Sequence, residues 1–136
     1  MKKIIKTLVV ALSVFSASVC TFAAPPLTTI QKAKAMVEEA RYQLPVQANY
    51  NLLWTQVDYD SKTYSLVYKY YYTVPITKPS NEAINEAKLS IIHLLKANPS
   101  SEDTQFIKAG MSFHYKYYSL EGKFLYAIRI TSADIK

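Results

Sequence analysis

The chain has 136 residues and a formal charge of +6, from 16 basic and 10 acidic side chains. That length suits one domain rather than two. With two Gly and one Cys in the whole chain, a Gly-rich phosphate loop and a Cys-ligated metal centre are both excluded.

Residues 1–23 read as a secretory signal peptide. Lys2, Lys3 and Lys6 form a basic start, Leu8 to Val19 an apolar stretch, and Thr21-Phe22-Ala23 a cleavage site with small residues at −3 and −1. The apolar stretch has 12 residues, and a bilayer span needs about 20. Cleavage leaves residues 24–136 as a single domain with 13 basic and 10 acidic residues, a charge of +3. Cys20 departs with the leader, so the mature chain is expected to have no thiol for disulfides or thiolate catalysis. In the competing reading, Cys20 is the acylated first residue of a lipoprotein, although Val19 and Ala17 fit the −1 and −3 positions poorly.

Ile30, Ala33, Met36, Val37, Ala40 and Leu44 recur at helical spacing and predict a helix over 29–43, capped by Thr28 or Thr29 and ended at Leu44-Pro45. Residues 51–59 and 64–74 read as a hairpin around Asp60-Ser61-Lys62-Thr63. In its second strand Tyr64, Leu66, Tyr68, Tyr70 and Tyr72 fall on one face, and Ser65, Val67, Lys69 and Tyr71 on the other. Ala83, Ile84, Ala87, Ile91, Leu94 and Leu95 predict a helix over 81–97, capped by Ser80 and stopped at Asn98-Pro99. A short helix over 101–109 follows, with Ser100 and Asp103 as a capping pair and Gly110 at its end. Residues 111–119 and 123–131 form a second hairpin, turning at Gly122. The order α-ββ-αα-ββ predicts an α+β domain: a four-stranded, mostly antiparallel sheet with helices on one face.

Several short motifs recur in this frame. They are Leu44-Pro45, the alternating tyrosines from Leu66 to Tyr72, Asn98-Pro99, Gly110 ahead of Tyr115-Lys116-Tyr117, Gly122-Lys123, and Thr131 to Asp134. On these motifs residues 44–134 resemble a group of small exported bacterial proteins with paired Tyr-x-Tyr strands. Members of that group carry one Cys before the helix break and another after the terminal Asp. Here those places hold Ala97 (or Lys96) and Ile135. The joint loss is what the resemblance implies if the two cysteines pair in the relatives. The resemblance implies a fold and export, and no activity.

The chemistry-bearing residues are sparse. His93 and His114 are the only histidines, and neither has a Cys or carboxylate at ligand spacing, so no metal site is read. No Gly-x-Ser-x-Gly elbow occurs, and Glu38-Glu39 and Glu102-Asp103 read as solvated or helix-terminal acids. The expectation is therefore no enzyme and no cofactor. A charge of +3 on an exported domain does not suit nucleic acid.

The 12 tyrosines are the distinctive feature. Those sharing a strand face with Leu66 are expected in the core. The opposite register aligns Lys69, Tyr71, His114, Lys116, Tyr118 and Arg129 as a candidate partner-contact face. Exposed Tyr between cations offers large contact area at low entropy cost. An ordinary solvated face is the alternative. The resulting expectation is a small periplasmic or secreted protein acting by protein–protein contact, with an inhibitor or immunity-type protein as one form. A pilotin-type, lipoprotein-like secretion or assembly factor is the alternative, bound to the membrane only if Cys20 is acylated. A third reading is a hydrolase or glycan-binding module using Tyr71, Tyr118 and His114.

Overall fold

The helical and strand periodicities become three α-helices, five strands and a terminal 3₁₀ turn in a computed structural model, which describes residues 24–136. The leader, its cleavage site and Cys20 lie outside the described residues. Helix α1 spans Leu27–Arg41. It begins two residues before the predicted start, and neither Thr28 nor Thr29 caps it. Pro26 occupies the cap position instead, its carbonyl accepting hydrogen bonds from the Thr29 and Ile30 amides. The pyrrolidine ring pre-sets φ for entry into the helix and has no N–H to lose.

Strand β1 spans Val46–Asn49, β2 Leu52–Asp60 and β3 Ser65–Tyr72. The predicted sheet of four strands is thus a sheet of five, in the order β1-β2-β3-β4-β5. β1 escaped prediction because all four of its residues are exposed, so no apolar alternation marks it. Tyr64 is not a strand residue as expected. It lies in the turn at φ +51°, in the left-handed region that L side chains seldom adopt. A bulge between Trp54 and Gln56 inserts Thr55 into β2. The insertion brings Leu52 and Trp54 before it, and Val57 and Tyr59 after it, to the same face.

Helix α2 spans Asn81–Ala97 and matches the predicted bounds, with Ser80 Oγ accepting from the Ala83 amide at 3.1 Å. Helix α3 spans Glu102–Lys108. Its cap is Ser101 rather than Ser100: Ser101 Oγ accepts from the Thr104 amide at 3.2 Å. Gly110, at φ +105°, closes α3 in a Schellman arrangement. The Met111 amide donates to Phe106 O and the Gly110 amide to Ile107 O. Strand β4 (Ser112–Tyr118) and β5 (Phe124–Ile130) follow, and Ser132–Ile135 forms the 3₁₀ turn.

Three of the four strand pairings are antiparallel, and β3–β4 is parallel. A parallel neighbour requires the chain to return to the starting end of β3, and the α2–α3 crossover provides that return. All three helices cover one face. Ala33 and Val37 of α1, Leu95 of α2, and Phe106 and Ile107 of α3 join Val57, Leu66, Phe113, Ile128 and Ile130 in one core. The fully buried residues Leu66, Phe113, Met111 and Ile130 place the densest packing where β3 and β4 begin and β5 ends.

Candidate functional site

The Tyr-Lys-Tyr-Tyr sequence occurs twice, at 68–71 and 115–118, and the parallel pairing sets the two copies side by side. Tyr68 pairs with Tyr115, Lys69 with Lys116, Tyr70 with Tyr117 and Tyr71 with Tyr118. Identical residues in register stack. The ring centroids are 5.1 Å apart for Tyr68–Tyr115, 5.3 Å for Tyr70–Tyr117 and 4.9 Å for Tyr71–Tyr118.

Strand alternation sends the first two stacks toward the helices and the third to the open side. On the helix side the phenols titrate late. Burial holds those of Tyr68, Tyr70, Tyr115 and Tyr126 well above the ordinary range, and burial with Tyr72 nearby pushes Tyr117 up to about 12. They remain protonated near neutrality and serve as packing groups and hydrogen-bond donors rather than bases. Asp103 faces this row from α3. Burial, aided by Glu102, raises its carboxyl above the usual range.

The open side carries every residue predicted for the contact face. Lys69, Tyr71, His114, Lys116 and Tyr118 are half-buried and Arg129 is exposed. They form three rows across the sheet. Leu53, Tyr71, Tyr118 and Phe124 make an aromatic row, in which Tyr118 meets Phe124 edge-on at 5.7 Å. Lys69 and Lys116 make the next row, with Lys69 Nζ 5.9 Å from the Tyr118 ring centroid. Asp58, Val67, His114 and Arg129 make the third. Partial burial, then Lys116 and Arg129, lower the His114 pKa, with Asp60 opposing them.

Two concavities end this face. One, of about 510 Å³, lies at the aromatic end between Leu53, Gln56, Tyr71, Thr73 and Leu120. The other, of about 550 Å³, lies at the opposite end, where Lys62 and Arg129 approach the start of β4. Sequence reading missed Leu53, Phe124, Leu120 and Lys62 as members of this surface. Leu53 was hidden by the Thr55 bulge, which shifts the phase of β2. Phe124 signals itself only by its exposure, at 52%. His93 lies apart on the exposed side of α2. Among the described residues no three metal-ligating side chains converge. What the open face offers is flat aromatic area beside cations.

No family model and no curated protein matches the chain. Solved structures do share its fold. The pilotin EpsS of the Vibrio vulnificus type 2 secretion system superposes with a TM-score of 0.56 at 14% identity, covering 80% of this chain and 93% of its own. The type II secretion system pilotin AspS of Vibrio cholerae gives 0.54 at 14% identity, over 79% and 92%. A Pseudomonas aeruginosa protein described as secreted gives 0.50 at 11% identity, over 83% and 100%.

Proposed function

We propose that this protein is a pilotin-type secretion or assembly factor of the cell envelope, acting by protein contact through the open face of its sheet. The observation that carries the reading is the likeness of its fold to two pilotins over about four-fifths of the chain. The stacked Tyr71–Tyr118 pair flanked by Lys69 and Lys116 supports contact over catalysis, since large rigid aromatics beside cations are typical of interface centres. None of these neighbours lends support to an inhibitor or immunity role. The pilotin-type reading takes the lipoprotein alternative for the leader, in which processing ends before an acylated Cys20, in place of cleavage after Ala23.

Membrane fractionation of the wild type and Cys20→Ser tests the anchor. The wild type is expected in the membrane fraction and the variant in the soluble one. Equal distribution of the two would remove acylation from the proposal. Affinity capture from envelope extracts tests the face. A subunit of a secretion apparatus is expected with the wild type and lost with Tyr71→Ala plus Tyr118→Ala. A captured set without such a subunit, or one indifferent to both substitutions, would overturn the reading.

A further inference from the structure

The open face carries more cations than acids, and the fold sets two of those cations side by side at some energetic cost. Arg129 stands opposite the imidazole of His114, and Lys69 and Lys116 are direct cross-strand neighbours. Like charges so placed are destabilising. Of the two acids on this side of β2, Asp58 is held by Arg41 at 2.6 Å, and Asp60 turns back to accept from the Lys62 amide at 2.9 Å. Among the described residues Arg129 has no ion-pair partner. Asp60 keeps its carboxylate charge at the β2 edge, while Lys69, Lys116 and Arg129 on β3, β4 and β5 have no ion pair among the described residues and are open to a partner.

Its focus is the concavity at the base of β3 and β4. Lys62, Thr63, Tyr64, Arg129, Thr131 and Ser132 contribute to its wall, which with Ser112 holds two cations, five hydroxyl-bearing residues and no carboxylate. Strain is stored in the same wall: Tyr64 sits at φ +51° while its carbonyl accepts from the Ser112 amide at 3.0 Å. A bulky residue held in this region persists only where its surroundings impose it, and such sites concentrate at ligand contacts.

We propose that this concavity receives the terminal carboxylate of an acidic peptide segment, which then runs extended across the sheet to the Tyr71–Tyr118 stack. The proposal rests on the protein-contact reading and specifies the chemistry of the partner. From Ser65 to Tyr71 the strand advances six residues, roughly 20 Å, which an extended hexapeptide spans. Lys69, Lys116 and His114 line the path with donors. The aromatic row at its far end takes an apolar side chain. A small anion on its own would use Lys62 and Arg129 and leave the rest of the path empty, so the arrangement favours a peptide over free phosphate.

The test is fluorescence anisotropy on the protein with a labelled hexapeptide that starts with phenylalanine, carries acidic residues and ends in a free carboxylate. Its C-terminal amide and inorganic phosphate serve as the other probes. The free acid is expected to bind at least about tenfold more tightly than the amide, because a charge-assisted contact is lost. Lys62→Gln with Arg129→Gln is expected to weaken the free acid by a similar factor and to leave the amide unchanged. Arg129→Lys, alone, should retain most of the binding. Equal binding of acid and amide, or phosphate displacing the peptide at equal concentration, would overturn the assignment. Capture of the same secretion-apparatus subunit by the wild type and the double variant would also overturn it, while leaving the contact function standing.

Discussion

The hydroxyls of Tyr72 in β3 and Tyr126 in β5 share a hydrogen bond of 2.7 Å, although β4 lies between their strands. They meet over Tyr117, which stacks on Tyr126 at 4.5 Å between ring centroids. The long phenol is what allows two strands that never pair to be tied directly. Because one bond serves both hydroxyls, Tyr72→Phe and Tyr126→Phe should each cost about 1 kcal/mol. The double variant should cost little more than either single change. Urea denaturation of the three variants checks the expectation, and additive losses would show that the hydroxyls act separately.

A second pair gives an asymmetric prediction. Ser65 Oγ and Ser112 Oγ are buried and bonded at 2.7 Å across the parallel strands. Ser65 also bonds the Thr63 hydroxyl at 2.8 Å, whereas Ser65 is the only side-chain partner found for Ser112 among the described residues. Ser65→Ala therefore strands a buried hydroxyl, at a cost of about 1–3 kcal/mol. Ser112→Ala leaves Ser65 satisfied and should cost about 1 kcal/mol or less. Thermal unfolding of the two variants orders them, and the reverse order would show that Ser112 finds another partner.

His114 should make stability depend on pH on the acid side. It lies on β4 beside Lys116, with Arg129 on β5 and Asp60 on β2 acting on it. Burial first, then the two cations, set its folded pKa below the ordinary 6.5. On acidification the unfolded chain takes up the proton before the folded one does. The His114 contribution to stability is thus intact above about pH 6.5 and declines as the pH falls through that value toward the folded pKa. Lys116→Gln should raise the His114 pKa without restoring the ordinary value, because burial remains. Proton NMR titration of the imidazole reads this directly, and a His114 pKa unmoved by the substitution would refute the charge contribution.

Much of the fold was legible because its signals are local. Ser80, Gly110 and Gly122 act within one turn of chain, and the alternation from Leu66 to Tyr72 needs no partner to be read. That Lys69, Tyr71, His114, Lys116, Tyr118 and Arg129 share one side of the sheet was legible for the same reason: strand alternation assigns a side irrespective of which strand lies beside it. The misses have equally physical causes. β1 is exposed along its length and carries no periodicity. Pro26 replaced a side-chain cap by a backbone one. Thr55 broke the phase of β2, hiding Leu53. The basic concavity joins Lys62, Tyr64 and Arg129, residues too far apart in sequence for any spacing rule to connect.

By itself the sequence determined the helices, nearly all the strands and the two faces of β3 and β4, since these depend on residues a few positions apart. Only the tertiary structure decided that β3 and β4 run parallel and in register. That choice depends on where a 39-residue excursion, Thr73 to Met111, returns the chain. From this one non-local decision follow the stacked tyrosines, the adjacent lysines and the pocket at their base. Two copies of Tyr-Lys-Tyr-Tyr are a repeated motif in the sequence, and one continuous stacked face only when the crossover lays one beside the other.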